Sequence, residues 1–261
     1  MSLNDGFQGQ PKVIAAVQVR MGSSRLPGKV LRPVLGKPLL GHLLDRLALC
    51  RRLDGVVVAT SVRPENQAIA DYCAARGTPC FRGDEDDVLG RMLGALESCS
   101  ATVGVEVFGD CPLIDPALVD DCVGFYLDHR AHYDFVGNDL KTTFPPGMEV
   151  EVFSLAALAD AGRRTGDPAI REHGTLFIRQ NPELYRLFSI EAPPELRRPE
   201  VEIEVDTEED LVVIAAVLER FADRPDVGLR DILAFLDANP EIRESNAAVA
   251  RRWKQYRTDG A

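Results

Sequence analysis

The sequence predicts an α/β fold: a mostly parallel, Rossmann-like sheet flanked by helices, with a β-arm or hairpin inserted late in the chain. Three observations predict it. Short apolar runs rich in β-branched residues alternate with helical leucine patterns through the first half of the chain. A basic loop containing glycine and proline follows the first of those runs directly. After Tyr133 the alternation stops, and a proline–glycine turn introduces a period of two.

Lys12–Val19 is almost continuously apolar and predicts a strand buried on both faces. Arg20–Lys29 is punctuated as a loop, and Pro38–Cys50 carries leucines at helical spacing. Gly55–Ser61 is a second buried strand, and Pro64–Arg76 a helix begun by Pro64 and ended by Gly77. Thr78–Phe81 then reads as a strand, Asp84–Ser98 as a helix, Thr102–Phe108 as a strand and Pro116–His129 as a helix. Such alternation implies right-handed βαβ units. Thr142–Phe153 has the turn and alternation of the arm, Arg171–Arg179 is helical and Leu184–Ile190 extended. In Glu200–Asp206, Val201, Ile203 and Val205 share one face and the glutamates the other, which predicts a strand. Thr207 caps a helix running through Phe221, with Glu209 and Asp210 in the first turn, where the helix dipole favours acids. Residues 1–11 read as a disordered lead. Residues 12–261 form one domain with an insertion at about 142–190.

Hydrophobic residues at 45% and charged residues at 27% of 261 are ordinary for a globular enzyme. No apolar run is long enough to span a bilayer, and the N-terminus lacks the basic start and apolar stretch of a signal peptide, so a cytoplasmic location is expected. Cys50, Cys73, Cys80, Cys99, Cys111 and Cys122 form no Cys-x-x-Cys pair and read as free thiols. A net charge of −11 opposes a broad nucleic-acid or membrane surface. Yet Lys12–Leu44 holds no acid, while Lys12, Arg20, Arg25, Lys29, Arg32 and Lys37 all fall there. A local cationic island on an acidic protein suits a compact polyanion such as a nucleoside triphosphate.

Arg20-Met-Gly-Ser-Ser-Arg-Leu-Pro-Gly-Lys29 is the strongest chemical feature. Gly22, Ser23 and Ser24, next to Met21, allow close backbone approach to phosphate, and Arg20, Arg25 and Lys29 add charge-assisted donors. It is not a Walker A loop: five residues separate Gly22 from Gly28, and Val30 stands where a hydroxyl should bind Mg²⁺. Asp110 lies at the carboxyl end of a predicted strand, where open α/β sheets bind ligands. Asp115 precedes Pro116 and reads as a helix cap. Asp84-Glu-Asp-Asp87 has two readings, helix initiation or the Asp-x-Asp metal site of a glycosyltransferase.

Arg20–Lys29, together with Gly109-Asp-Cys-Pro-Leu-Ile-Asp-Pro116 and Glu204-Val-Asp-Thr-Glu-Glu-Asp-Leu211, resembles the cytidylyltransferase family. The CMP-Kdo synthetases and acylneuraminate cytidylyltransferases belong to it. The likeness is greatest to the branch of the spore-coat polysaccharide biosynthesis protein F, which also has a stretch like Arg82–Leu89. The resemblance implies a fold of the nucleotide-diphospho-sugar transferase type. The implied activity is transfer of CMP from CTP to a sugar, such as an acidic sugar, for polysaccharide or glycoconjugate synthesis. It implies Mg²⁺ on Asp110 and Asp206, with a nucleotide held by Met21–Arg25, Lys29 and Arg82. Ala59, Thr60 and Ser61 would flank the base. Arg20, Arg25 and Lys29 would stabilise departing pyrophosphate, and the general base stays open between Asp206 and a metal-held water. Glu149, Arg171 and His173 fall on the acceptor side. Pro146 stands where relatives often carry arginine, and Glu149 where they carry aspartate, so the acceptor differs or is held otherwise. A homodimer formed through Thr142–Ile190 is expected. Alternatives are another triphosphate or an alcohol-phosphate acceptor, a glycosyltransferase, and a nucleotide-binding homologue without turnover.

Overall fold

The structure is a computed structural model and describes residues 9–251. Most of the expected disordered lead lies outside the described residues. Among the described residues nine strands form: β1 (Val13–Gln18), β2 (Pro33–Val34), β3 (Lys37–Pro38), β4 (Gly55–Ser61), β5 (Cys80–Gly83), β6 (Val103–Phe108), β7 (Phe135–Gly137), β8 (Glu151–Ser154) and β9 (Leu187–Ser189). β2 and β3 make a separate small ribbon, and the other seven form one sheet in the order β5-β4-β1-β6-β8-β7-β9. β5, β4, β1 and β6 are parallel neighbours, and β8 alone runs against the strands beside it.

The apolar strands are covered on both faces, as their composition requires. Val13, Ala15 and Val17 point into one core, closed by helices that include α1 (Leu39–Leu47), α4 (Pro116–His129), α8 (Glu208–Arg220) and α9 (Leu229–Ala238). Ile14 and Ala16 point into the other, beneath α3 (Val88–Ser98), α5 (Leu155–Arg164) and α7 (Leu176–Gln180). From β1 the chain passes through α1 to β4, then through α2 (Gln67–Arg76) to β5, and α3 carries it back to β6 on the other side of β1. The strand order therefore reverses between β1 and β6, and a crevice opens at their carboxyl ends.

Gly55–Ser61 and Pro116–His129 have the expected limits. Other segments differ for identifiable reasons. The helix expected from Asp84 begins at Val88, because Asp84 Oδ1 accepts from the N–H groups of Asp86 and Asp87 at 2.8 and 2.9 Å and makes a turn. Asp87 is the cap, accepting from Gly90 N at 2.8 Å. In the expected arm only Glu151–Ser154 is a strand; its antiparallel partners are Val103–Phe108 and Phe135–Gly137. Residues 142–150 are a largely buried loop, pinned where Asn138 bonds Met148 O at 2.7 Å and Val150 N at 2.8 Å. Glu200–Asp206 forms no strand: Ile203 N reaches Pro146 O and Val205 N reaches Asp110 O, each at 2.8 Å. Arg171–Arg179 divides into α6 (Pro168–Arg171) and α7, with residues 172–175 turning between them.

Candidate active site

A cleft of about 420 Å³ lies over the carboxyl ends of β1 and β6. The Arg20–Lys29 loop leaves β1 at its edge. Gly28 has φ +70°, a left-handed conformation that glycine takes without steric cost, and its N–H closes back on Met21 O at 2.9 Å. Leu26 and Val30 sink into the core on either side and anchor the turn. Lys29 is thereby directed inward. Its Nζ donates to Asp110 Oδ2 at 2.8 Å, Asp206 Oδ1 at 2.9 Å and Val205 O at 2.6 Å, which satisfies all three ammonium donors. Burial alone would lower the Lys29 pKa, but the two aspartates outweigh it and raise the value, so the ammonium stays charged.

The same contacts join Asp110, at the end of β6, to Asp206, almost a hundred residues later. Val205 N on Asp110 O ties the two backbones, and Asp210 Oδ2 accepts from Asp206 N at 2.9 Å. Asp210 is buried and paired with Arg251 at 2.7 Å, so this support is itself fixed. Arg25 pairs with Asp206 and also bonds Ala250 O at 3.1 Å. The two carboxylates, 28% and 14% exposed, converge on one cationic group. Hard oxygen donors so arranged could also hold Mg²⁺, which needs only one or two protein carboxylates when phosphate and water fill its shell. Among the described residues no trio of His, Cys, Asp or Glu forms a ready metal cage, so a cation there would draw further ligands from elsewhere.

Beside the loop lies a buried polar network. Asn66 Oδ1 accepts from Met21 N at 2.7 Å, and Asn66 Nδ2 donates to Ser61 Oγ at 2.6 Å and Glu85 Oε2 at 3.1 Å. Ser61 Oγ also donates to Glu85, and Glu85 lies 3.6 Å from Arg20. Arg20 has a second partner in Glu172 at 3.5 Å and is 37% exposed, the loosest of the loop's cations toward the cleft.

The far end of the cleft is acidic. Glu106 on β6 and Glu151 on β8 are cross-strand partners, a placement in which like charges repel. Burial pushes Glu106 up to about 7 and Glu151 well above the usual carboxylate range; Asp139 raises both further, and Arg179 opposes it. Arg179 pairs with Glu151 at 3.0 Å and Asp139 at 3.1 Å, and Thr175 donates to Glu151. Between this cluster and Asp110 stand Glu149 and Glu204. Gly147 sets them there: its φ is +105°, and a Cβ would lie 2.5 Å from the Ile203 carbonyl, so only glycine lets the 146–149 turn rest on residues 203–204. Glu149 Oε2 accepts from Gly147 N at 2.8 Å. Glu204 is 9% exposed, lines the cleft, and its Oε1 has no hydrogen-bond partner.

Of the residues singled out by sequence, Arg20, Arg25, Asp110, Asp206, Glu149 and His173 line this cleft. Burial, with Arg179 and Arg20 nearby, outweighs Glu172 and lowers the His173 pKa, so the imidazole is neutral near pH 7. Gly22 and Ser24 lie exposed on the loop crest. Lys29 lies beneath the cleft, its donors already engaged by protein oxygens rather than directed at phosphate. Three residues sit apart. Thr60 is fully buried. Arg82 bonds Ser61 O at 3.1 Å and Arg63 O at 3.2 Å, stitching the β4–β5 edge. Arg171 clamps Gly162 O and Thr165 O to Asp87, at 2.9, 3.0 and 2.6 Å. The Asp84 turn is accounted for by helix initiation and does not line the cleft. Sequence reasoning missed Asn66, Glu106, Asp139, Glu151, Thr175 and Arg179; a lone carboxylate inside the apolar Val103–Phe108 strand was the one visible signal.

Residues 14–232 match the family model described as cytidylyltransferase. The spore coat polysaccharide biosynthesis protein SpsF of Bacillus subtilis is 34% identical over 90% of this chain and 98% of its own length. A cytidylyltransferase structure from Leptospira borgpetersenii superposes with a TM-score of 0.86 at 29% identity, covering 93% of this chain and all of that one. The structure of CMP:2-keto-3-deoxy-manno-octonic acid synthetase complexed with CTP gives 0.59 at 20% identity, over 80% and 99% of the two chains, a likeness of fold alone. With its loop, its two aspartates and its sheet order all in place, this chain belongs to the cytidylyltransferase family.

Proposed function

We propose that the protein transfers CMP from CTP to a sugar hydroxyl, with release of pyrophosphate and with Mg²⁺ held by Asp110 and Asp206. The observation that carries this reading is the junction of Lys29, Asp110 and Asp206 beneath a basic loop at the β1/β6 switch point. The sugar oxygen forms a bond to the α-phosphorus as the bond from that phosphorus to the pyrophosphate oxygen breaks. Bound Mg²⁺ would supply positive charge against the α-phosphate. Lys29 holds the two aspartates in one orientation, which leaves Arg20 and Arg25 to meet the outer phosphates. Arg20 is the more easily recruited, because its contacts at 3.6 and 3.5 Å are long. Catalysis is then positioning and electrostatic stabilisation, with no protein nucleophile.

The glycosyltransferase reading loses its metal site, since the Asp84 turn is explained by its own hydrogen bonds. A role in polysaccharide synthesis rests on the SpsF likeness. The homodimer rests on family resemblance alone: Phe144, Met148, Val150, Ile178 and Tyr185, which would have called for a partner, are buried within one chain. No helix among the described residues is long and apolar enough to cross a membrane. The test is incubation with CTP, Mg²⁺ and a panel of sugars while following pyrophosphate and the nucleotide product. Release that requires both CTP and a sugar, with CMP retained on the sugar, is expected. Consumption of a nucleotide sugar instead would overturn the reading.

A further inference from the structure

We infer that residues 246–251 form a strap that positions Asp206 and Arg25 for Mg²⁺-bound CTP, with Arg251 as its positioning residue. This deepens the proposed cytidylyl transfer and rests on it. The strap follows α10 (Pro240–Arg243), which packs against α8 and α9. It lies past residues 14–232, the span that matches the family model. It nevertheless returns to the site at two points.

The first point is Asp210, a fully buried carboxylate whose two oxygens serve different partners. Oδ2 accepts from Asp206 N at 2.9 Å and Thr207 N at 2.8 Å. Oδ1 is occupied from the strap: Arg251 Nη2 donates at 2.7 Å and Asn246 Nδ2 at 2.8 Å. Capping α8 requires only the bond from Thr207 N, answered by Thr207 Oγ1 on Asp210 N. The bond from Asp206 N goes further. It fixes the backbone from which the Asp206 carboxylate reaches Lys29 and Arg25. A buried carboxylate keeps such a place only when its charge is paired, and Arg251, its side chain 2% exposed, supplies the partner.

The second point is Arg25. One arm of its guanidinium pairs with Asp206, and Nη1 donates to Ala250 O at 3.1 Å. A long side chain anchored through both arms has lost its rotamer freedom before a ligand arrives, so that ordering does not weaken binding. Adjacent residues, Ala250 and Arg251, make the two contacts. Freeing Arg251 from Asp210 therefore loosens the Ala250 carbonyl as well, and the carboxylate and the cation lose their common frame.

Calorimetry of CTP with Mg²⁺ on the full chain tests this in wild type, Arg251→Met, Arg251→Lys and Asn246→Ala. Groups that orient metal ligands are commonly worth about 10–100-fold in metal affinity or activity, and Arg251 acts one contact further out. Arg251→Met is therefore expected to bind Mg²⁺–CTP about tenfold more weakly, at the low end of that range. Arg251→Lys, which keeps the charge, should recover most of the loss. Asn246→Ala leaves the ion pair in place and should show a smaller loss; it carries the comparison if Arg251→Met does not fold. Leu96→Ala controls for stability alone. Leu96 is fully buried beside Gly104, at the opposite end of β6 from Asp110, so its loss should lower the melting temperature and leave the affinity unchanged. Wild-type affinity in both strap variants, or an equal weakening in Leu96→Ala, would show that the strap only fastens the chain and would overturn the inference. If wild type binds Mg²⁺–CTP and the strap variants match it, the strap alone falls. If wild type binds no Mg²⁺–CTP, the cytidylyltransferase reading falls and takes the strap with it.

Discussion

At the end of the cleft proposed for phosphate Lys29 and Arg25 meet Asp110 and Asp206 in a charge-matched cluster, whereas at the end proposed for the acceptor Glu106, Glu151 and Asp139 share Arg179. The first cluster is neutralised by cations brought from a single loop. The second has too few cations and is neutralised in part by protons, because burial and the nearby Asp139 carboxylate raise Glu106 and Glu151 above ordinary carboxylates. The difference teaches that one end is built to exchange ionic partners, and the other to stay uncharged around hydrogen-bonding groups. Substitution should therefore act on turnover at the first end and on pH dependence at the second.

The largest expected effect is on turnover. Asp110→Asn keeps the shape of the side chain but removes its charge, and should slow CMP transfer by about a hundredfold or more, a few kcal/mol of barrier. Asp84→Asn, on an exposed turn that the cleft does not include, should leave the rate close to wild type. Steady-state pyrophosphate release measures both, and circular dichroism checks that each variant is folded. The opposite ranking would move the functional acid to the Asp84 turn and dissolve the comparison.

Next in size is the stability of the phosphate end. Lys29→Met leaves Asp110 and Asp206 facing one another without their shared ammonium. Breaking a buried pair in this way costs about 3–5 kcal/mol, and the partial exposure of both carboxylates puts this case at the lower end. Mg²⁺ should then raise the melting temperature of Lys29→Met more than that of wild type, since a divalent cation replaces the lost charge. Equal responses to Mg²⁺ in the two proteins would show that the aspartates do not form a cation site.

The acceptor end predicts a smaller effect with a definite sign. The folded-state pKa of Glu106 is raised to about 7, above the unfolded value, so the native chain binds more protons than the unfolded chain between those values. Its proton-linked stability is present at low pH and lost as pH rises toward 7, by at most about 1.4 kcal/mol per pH unit. Urea midpoints of wild type should fall between about pH 5 and 7. Glu106→Gln should flatten that decline. A wild-type midpoint that rises over the same interval would mean the carboxyl pair is ionised.

The two ends were also unequally legible in the sequence. The phosphate end is written largely in one stretch, Arg20–Lys29, so its charge, glycine content and position after a strand could be read locally. Even there the direction of Lys29 was hidden. Nothing local indicates that Gly28 turns the chain so that the ammonium goes inward to Asp110 and Asp206. The acceptor end draws on β6, β8, α7 and the 138–150 loop, and its pairs arise only from strand register and from the Gly147 contact with Ile203. Arg171 and Arg82 illustrate the converse. Both carry charge beside recognisable segments, yet backbone carbonyls claim their guanidinium groups. The buried strands were legible because continuous β-branched runs have few other uses. Glu200–Asp206 was not, since its perfect alternation lacks a neighbouring strand to pair with and is held by scattered bonds rather than by a ladder.

Thermal melting with each of the four nucleoside triphosphates in the presence of Mg²⁺ tests the central claim, a CTP site at the Arg20–Lys29 loop, most directly. A ligand at a hundred times its Kd adds about 2.7 kcal/mol to native stability. CTP is expected to raise the melting temperature well beyond ATP, GTP and UTP, and the gain should shrink in Arg25→Met, which removes one phosphate-facing cation. Equal shifts with all four triphosphates, or a CTP shift unchanged in Arg25→Met, would contradict the account.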